Sequence, residues 1–153
     1  MEREYFEEIS KHLMEDLKPS EFLNSISKEN AFKEYPYNML YSLKDTPQNL
    51  VHHPEGNVWN HTMMVVDEGA KRRAKSKKPE VFMWATLLHD IGKAPTTKLR
   101  KGRITSYDHD KVGRELTEKF LREVTSDEDF INEVAAIVRW HMQPLFIAKN
   151  LPF

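Results

Sequence analysis

The run Leu87-Leu88-His89-Asp90-Ile91-Gly92-Lys93 ends an apolar stretch with a histidine and an aspartate side by side. Any fold this chain adopts has to accommodate that pair. Its apolar neighbours carry it toward the interior, where an imidazole and a carboxylate are costly without partners. A nitrogen and a hard oxygen are also the donors that a divalent cation prefers. Four further histidines, His53, His61, His109 and His141, each stand at the start or end of a separate segment. Only folding can bring them to the pair.

A chain of 153 residues is most simply a single domain with a real hydrophobic core. No stretch approaches the roughly 18 consecutive apolar residues of a membrane span, and the charged start Met1-Glu2-Arg3-Glu4-Tyr5 does not lead into a secretory signal. A cytoplasmic location is therefore expected. Cysteine is absent, which excludes a disulfide framework and a thiolate metal site; any metal must be held by His, Asp, Glu and water. The formal net charge of −1 makes no global case for nucleic-acid or membrane binding. Charge is uneven locally, with Lys71, Arg72, Arg73, Lys75, Lys77 and Lys78 in one basic block and Lys98, Arg100, Lys101 and Arg103 in another. Such blocks are ordinarily solvated helix ends or mobile loops, but the second lies close enough to the His-Asp pair to steer an anionic substrate.

Apolar residues recur mostly at helical spacing, which predicts an all-α chain. Tyr5, Phe6, Ile9, Leu13 and Leu17 form a stripe over 2–17. Pro19 starts a short helix to Ile26, a third covers 28–34, and 36–57 reads as a connecting stretch with one short helix near 38–43. Pro54-Glu55-Gly56-Asn57 is a turn-and-cap signal before a helix over 58–74. A helix over 79–91 follows, with Gly92 as its stop. Residues 93–107 form a loop with a short hairpin around Gly102, and helices over 109–124 and 127–142 close the pattern.

His61, His89, His109 and His141 each fall on the apolar side of a different predicted helix. One such histidine is more often a hydrogen-bonded core residue than a ligand. Four repeating the placement reverse that reading, because burying four imidazoles and a carboxylate uncompensated costs several kcal/mol, and a shared cation removes the cost. Asp90 is suited to bridge two ions. Its alternative is a carboxylate at a helix C-terminus, where the helix dipole disfavours it. Lys93 is placed either to neutralise a phosphate or to act as a helix C-terminal cation. His52 and His53 either line a substrate pocket or cap the His61 helix.

The order His61, His89-Asp90-Ile91-Gly92-Lys93, His109, His141 resembles the HD-domain superfamily of metal-dependent phosphohydrolases. The flanks His52-His53-Pro54-Glu55-Gly56-Asn57-Val58-Trp59-Asn60-His61-Thr62 and Asp108-His109-Asp110-Lys111-Val112-Gly113 are similar to the HD domain joined to bacterial tRNA nucleotidyltransferases, the CCA-adding enzymes. The resemblance implies an all-α bundle of about six to eight helices, with 1–45 as a helical lead-in and 46–153 as the HD core. It implies His61, His89 and Asp90 as ligands of a first metal and His109 and His141 as ligands of a second. One or two divalent ions are expected, with iron, manganese, magnesium, zinc and nickel not distinguished. The family's last ligand is an aspartate on a further helix; here no aspartate follows Asp129, so water or another carboxylate completes the site, or the closing helix is lacking. The Gly-Ser turn and paired carboxylates of a nucleotidyltransferase are also absent.

The implied activity is hydrolysis of nucleotide phosphomonoesters or cyclic phosphodiesters, with Asp90 and Lys93 catalytic and Lys93 and Arg103 binding a small phosphorylated substrate. The alternatives are a catalytically impaired module with a regulatory role, RNA binding through the Lys71–Lys78 block, or di-iron redox chemistry.

Overall fold

The computed structural model describes residues 2–141. Within them the chain runs through α1 (Glu2–Glu15), α2 (Pro19–Ile26), α3 (Asn38–Tyr41), α4 (Val58–Ala70), α5 (Pro79–Leu88), α6 (Lys93–Thr96), β1 (Thr97–Arg100), β2 (Arg103–Ser106), α7 (His109–Val124) and α8 (Glu128–Arg139). The expectation of a missing closing helix falls on 142–153, outside the described residues.

Helix α5 organises the rest. Val81, Met83, Trp84, Ala85, Leu87 and Leu88 are all buried, so the helix is apolar almost all round, as a helix enclosed on every side must be. It packs against α1, α4 and α8, while α7 and α8 lie along one another. Trp84 stacks on Phe6 at 4.8 Å between centroids, and its indole N–H donates to Ser10 Oγ at 2.9 Å. Large apolar side chains buried this way contribute about 1.5–3 kcal/mol each.

The lead-in helices share this core rather than standing apart from it. Ile9, Leu13, Leu23 and Leu40 belong to the same buried cluster as Leu87, Phe120 and Val134. Ser20 donates its backbone N–H and its hydroxyl to the Asp67 carboxylate at 3.0 and 2.6 Å, tying α2 to α4. The Trp59 indole N–H donates to Asn24 Oδ1 at 2.7 Å.

Several boundaries differ from the sequence expectation for local reasons. Leu17, expected on the buried stripe, is 89 % exposed, because α1 ends at Glu15 and Pro19 forces the preceding chain out of helix. Residues 28–34 make only a 3-10 turn at Asn30–Lys33, again just ahead of a proline, Pro36. Helix α4 stops at Ala70, and the basic run continues in a 3-10 turn at Arg73–Lys75. Part of the block is spent on neighbours: Lys71 pairs with Glu68, Lys78 with Glu133, and Arg73 donates to the Leu13 carbonyl.

The hairpin expected around Gly102 is present, with Thr97 opposite Ser106 and Leu99 opposite Ile104. Lys101 and Gly102 both have positive φ, 50° and 78°, the conformation a two-residue hairpin turn requires. The all-α reading therefore holds apart from this small sheet.

The 46–57 stretch closes on itself as a compact loop. Val58 N–H donates to Thr46 O at 2.9 Å and the Asn57 amide to Lys44 O at 2.9 Å. The Asn57 side-chain Oδ1 accepts from Asn60 N–H at 2.8 Å, making Asn57 the N-cap of α4. His52 and His53 therefore do not cap that helix.

Candidate metal centre

Four elements converge on Asp90. His61 comes from the first turns of α4. His89 and Asp90 occupy the turn directly after α5. His109 is the first residue of α7, and His141 follows α8. Helix α5 ends at Leu88 rather than at 91, so Asp90 lies in the turn just beyond the C-cap residue His89.

The expected role of Gly92 as a left-handed stop is also replaced. Its φ is −74°, an ordinary helical value. It must be glycine for a different reason: a Cβ there would lie 2.1 Å from the His109 carbonyl oxygen and 2.6 Å from the Gly113 nitrogen. The turn bearing Asp90 thus touches the start of α7 backbone to backbone. Asp108, the residue before α7, takes a left-handed φ of 62°, which aspartate tolerates.

The two Asp90 oxygens face separate histidine pairs. Oδ2 lies 3.2 Å from His89 Nε2 and 3.7 Å from His61 Nε2. Oδ1 lies 3.6 Å from both His109 Nε2 and His141 Nε2. Behind each ring, Nδ1 meets an atom that can only accept: Glu55 Oε2 for His61 at 3.1 Å, Thr86 O for His89 at 2.7 Å, Ser106 O for His109 at 3.0 Å and Val138 O for His141 at 2.6 Å. Each Nδ1 therefore donates, and in the neutral imidazole the lone pair sits on Nε2, toward Asp90.

Electrostatics keep this set ready for a cation. Burial foremost, then repulsion from His89, lowers both the His61 and the His141 pKa to about 4. Burial likewise lowers His109. Burial opposes ionisation of Asp90, but His89 and Lys93 outweigh it and hold the carboxyl well below the usual carboxylate range. The close approaches of His61, His109 and His141 are thus lone pairs facing a carboxylate, not salt bridges. His109 Nε2 and His141 Nε2 lie 3.3 Å apart, an unfavourable contact between two lone pairs that a shared cation removes. The donors fit one ion held by His61, His89 and Asp90 and another held by Asp90, His109 and His141.

In sequence Glu55 stands only as part of a turn, yet it accepts from both His53 Nδ1, at 3.2 Å, and His61 Nδ1. Burial works against this carboxylate, but its own backbone N–H and the two histidines hold its pKa below the usual range. A glutamate six residues before a helical histidine was the available signal. Since His61 turns Nε2 toward Asp90, Glu55 fixes the ring from behind. Glu55→Ala should therefore weaken metal binding about 10- to 100-fold, the usual effect of losing such a partner, with the fold intact; chelator competition measures it.

Lys93 opens α6 instead of closing a helix, so the C-terminal-cation alternative does not hold. Its Nζ lies 3.2 Å from Asp90 Oδ2 and 3.1 Å from Gln48 Oε1. His52, His53, Lys93, Arg103 and His109 line one cavity of about 370 Å³ beside the centre, which brings the substrate-binding candidates Lys93 and Arg103 together.

The lowered histidine values carry a pH dependence. For His61 and His141 the folded pKa of about 4 lies below the unfolded value near 6.5. Between those limits the unfolded chain takes up protons that the folded one does not. The chelator-treated protein should lose several kcal/mol of stability as pH falls from about 6.5 to about 4, and Asp90 adds loss in the same direction at lower pH. Urea melts across that range would show a falling midpoint; a flat midpoint would contradict the burial of these rings.

The HD domain family model matches residues 57–150. The chain is 33% identical over 104 residues to the Multifunctional CCA protein of Pseudomonas syringae pv. syringae, covering 68% of this chain and 24% of that protein. It is 32% identical over 117 residues to the protein of the same name from Pseudomonas fluorescens, covering 75% and 27%. To the A-adding tRNA nucleotidyltransferase of Deinococcus radiodurans it is 36% identical over 93 residues, covering 56% and 21%. The chain thus spans about a quarter of the length of these relatives. No solved structure matches it significantly. Among the described residues, no helix is long and apolar enough to cross a membrane.

Proposed function

The chain belongs to the HD domain family, and from that premise we propose that it is a metal-dependent phosphohydrolase acting on nucleotide phosphomonoesters or cyclic phosphodiesters. The observation that carries this reading is the division of the Asp90 oxygens between two pairs of Nε2 atoms, which suits one carboxylate to two ions. Divalent ions held there supply a water of lowered pKa and polarise a phosphoryl oxygen.

The protein's own residues do the rest. His61, His89, Asp90, His109 and His141 hold the ions. Asp90 spreads its charge between both halves. Lys93, held beside Asp90 and Gln48, balances negative charge where a phosphoryl group approaches, and Arg103 draws the anion into the adjoining cavity. Burial keeps His61, His109 and His141 unprotonated in mildly acidic solution.

The test is elemental analysis of the purified chain followed by a phosphoester panel with the metal it retains. One or two ions per chain and turnover of a nucleotide phosphoester support the reading. Metal retention without turnover of any phosphoester would instead favour a regulatory HD module. A tRNA partner is a second reading, favoured by the relatives' names. The exposed Lys98, Arg100, Lys101 and Arg103 on the hairpin suit it better than the Lys71–Lys78 block, where Lys71 and Lys78 are paired with carboxylates. Binding that falls steeply with salt would support it.

A further inference from the structure

Beside the metal centre one buried side chain lacks a hydrogen-bond partner that a phosphate oxygen could supply. Gln48 is 6 % exposed. Its Oε1 accepts from the Lys93 ammonium, which has no acceptor of its own, so the orientation of the amide is settled. The Nε2 group on the other side is buried with no hydrogen-bond partner. A buried donor of that kind calls for an acceptor, and Gln48 lines the cavity beside the metal centre.

Two further observations bear on what that acceptor belongs to. Arg103 lies directly across the hairpin from Arg100, a like-charge pairing that disfavours the hairpin by itself and that an anion relieves; Arg103 lines the same cavity. A second cavity, of about 620 Å³, adjoins the first through Gln48, Asn49 and Arg103, and is walled by Leu50, Val51 and Ile104. Leu50 and Val51 are 67 % and 85 % exposed, yet their backbone is pinned: Val51 N–H donates to Asn49 Oδ1 and His53 N–H to Asn49 O. A cationic, donor-rich compartment next to the metal centre thus opens into a preformed apolar one, of a size that takes a small organic group.

We propose that these two cavities form one nucleotide site, in which the Gln48 amide and Arg103 bind oxygens of the phosphate and the Leu50–Val51–Ile104 wall takes the nucleoside. The assignment rests on the phosphohydrolase reading for the position of the phosphate, and adds the residues that recognise the rest of the substrate. Gln48 is a substrate-binding residue held in place by Lys93, and it contributes no metal ligand.

Calorimetric titration of the metal-loaded chain tests this with two probes that resist hydrolysis: the 5′-methylenephosphonate analogue of AMP, and methylphosphonate, which shares its anionic group and lacks the nucleoside. The nucleotide analogue should bind at least about tenfold more tightly than methylphosphonate. Gln48→Met, nearly the same size without the donor, should weaken both probes about tenfold at unchanged metal content. Val51→Asp should weaken the nucleotide analogue alone. Equal affinity for the two probes in the wild type, or wild-type binding by Gln48→Met, would overturn the assignment. If the probes bind as stated but AMP and cyclic nucleotides are not turned over, the hydrolase reading fails and the nucleotide site stands.

Discussion

Asp90→Ala should strip the chain of metal and abolish phosphoester hydrolysis while the helical bundle stays folded. Asp90 is the one residue that faces both halves of the centre, with each oxygen within 3.7 Å of two Nε2 atoms. Removing it leaves two histidines on either side and no negative charge between them. Two neutral imidazoles are a weak site for a divalent ion, and the charge of Lys93, now without its carboxylate, repels one. The expected loss in kcat/KM is at least about a thousandfold, roughly 4 kcal/mol of transition-state stabilisation. The fold should survive because the apolar cluster that holds α1, α4, α5, α7 and α8 together does not include this side chain. Asp90→Asn, which keeps the volume and one oxygen, provides a second check should alanine destabilise the turn. Metal content, circular dichroism and turnover measured on the same samples separate the cases. A folded, metal-free and inactive variant is the expected result. A variant that keeps its ions and its turnover would remove Asp90 from the centre.

The helical layout was readable because each apolar stripe is nearly continuous and some ends carry strong local signals: Pro19 at a helix start and Asn57 as a cap. The hairpin was readable from Gly102 alone, since few residues accept the turn it needs. The convergence of His61, His89, His109 and His141 followed from their repeated position on apolar faces, which needs no knowledge of the tertiary path. What escaped the sequence depends on distances between segments. Glu55 looks like a turn residue until α4 sets His61 one helical turn beyond the loop, where both groups meet. Gln48 lies 45 residues from Lys93, and nothing local marks it as a partner of the HD turn. Sequence leaves His52 and His53 open between capping and pocket lining, because a cap is a local event; Asn57 performs it, and the two histidines line the cavity. Gly92 shows the limit most plainly, since helix-stop and close-approach glycines look identical until the neighbouring backbone is known.

That last distinction has a large consequence. Gly92→Ala should disable the half of the centre formed by His109 and His141 while sparing the half formed by His61 and His89. The added Cβ would meet the His109 carbonyl oxygen at 2.1 Å, the Gly113 nitrogen at 2.6 Å and the Gly113 Cα at 2.9 Å. All three are backbone atoms, so no side-chain rotation relieves the clash. The first turn of α7 has to retreat by roughly 1 Å to restore ordinary contact, and it carries His109 with it. Because α7 and α8 pack along their length, His141 is drawn away as well. Metal-ligand distances tolerate only about 0.2 Å, and a displacement of about 1 Å at a reacting centre costs about a hundredfold in rate. Metal content should therefore drop by about one ion per chain relative to a doubly loaded wild type, with turnover falling about a hundredfold or more and stability by roughly 1–3 kcal/mol. Gly113→Ala is the control: its Cβ would approach the Val138 methyl at 3.2 Å and the Gly92 nitrogen at 3.6 Å, and a side chain can yield where a backbone cannot. It should retain both ions and most of the activity. If Gly92→Ala instead keeps its metal and turnover as Gly113→Ala does, the backbone contact between the HD turn and α7 does not set the position of His109, and the second half of the centre must be held by α8 alone.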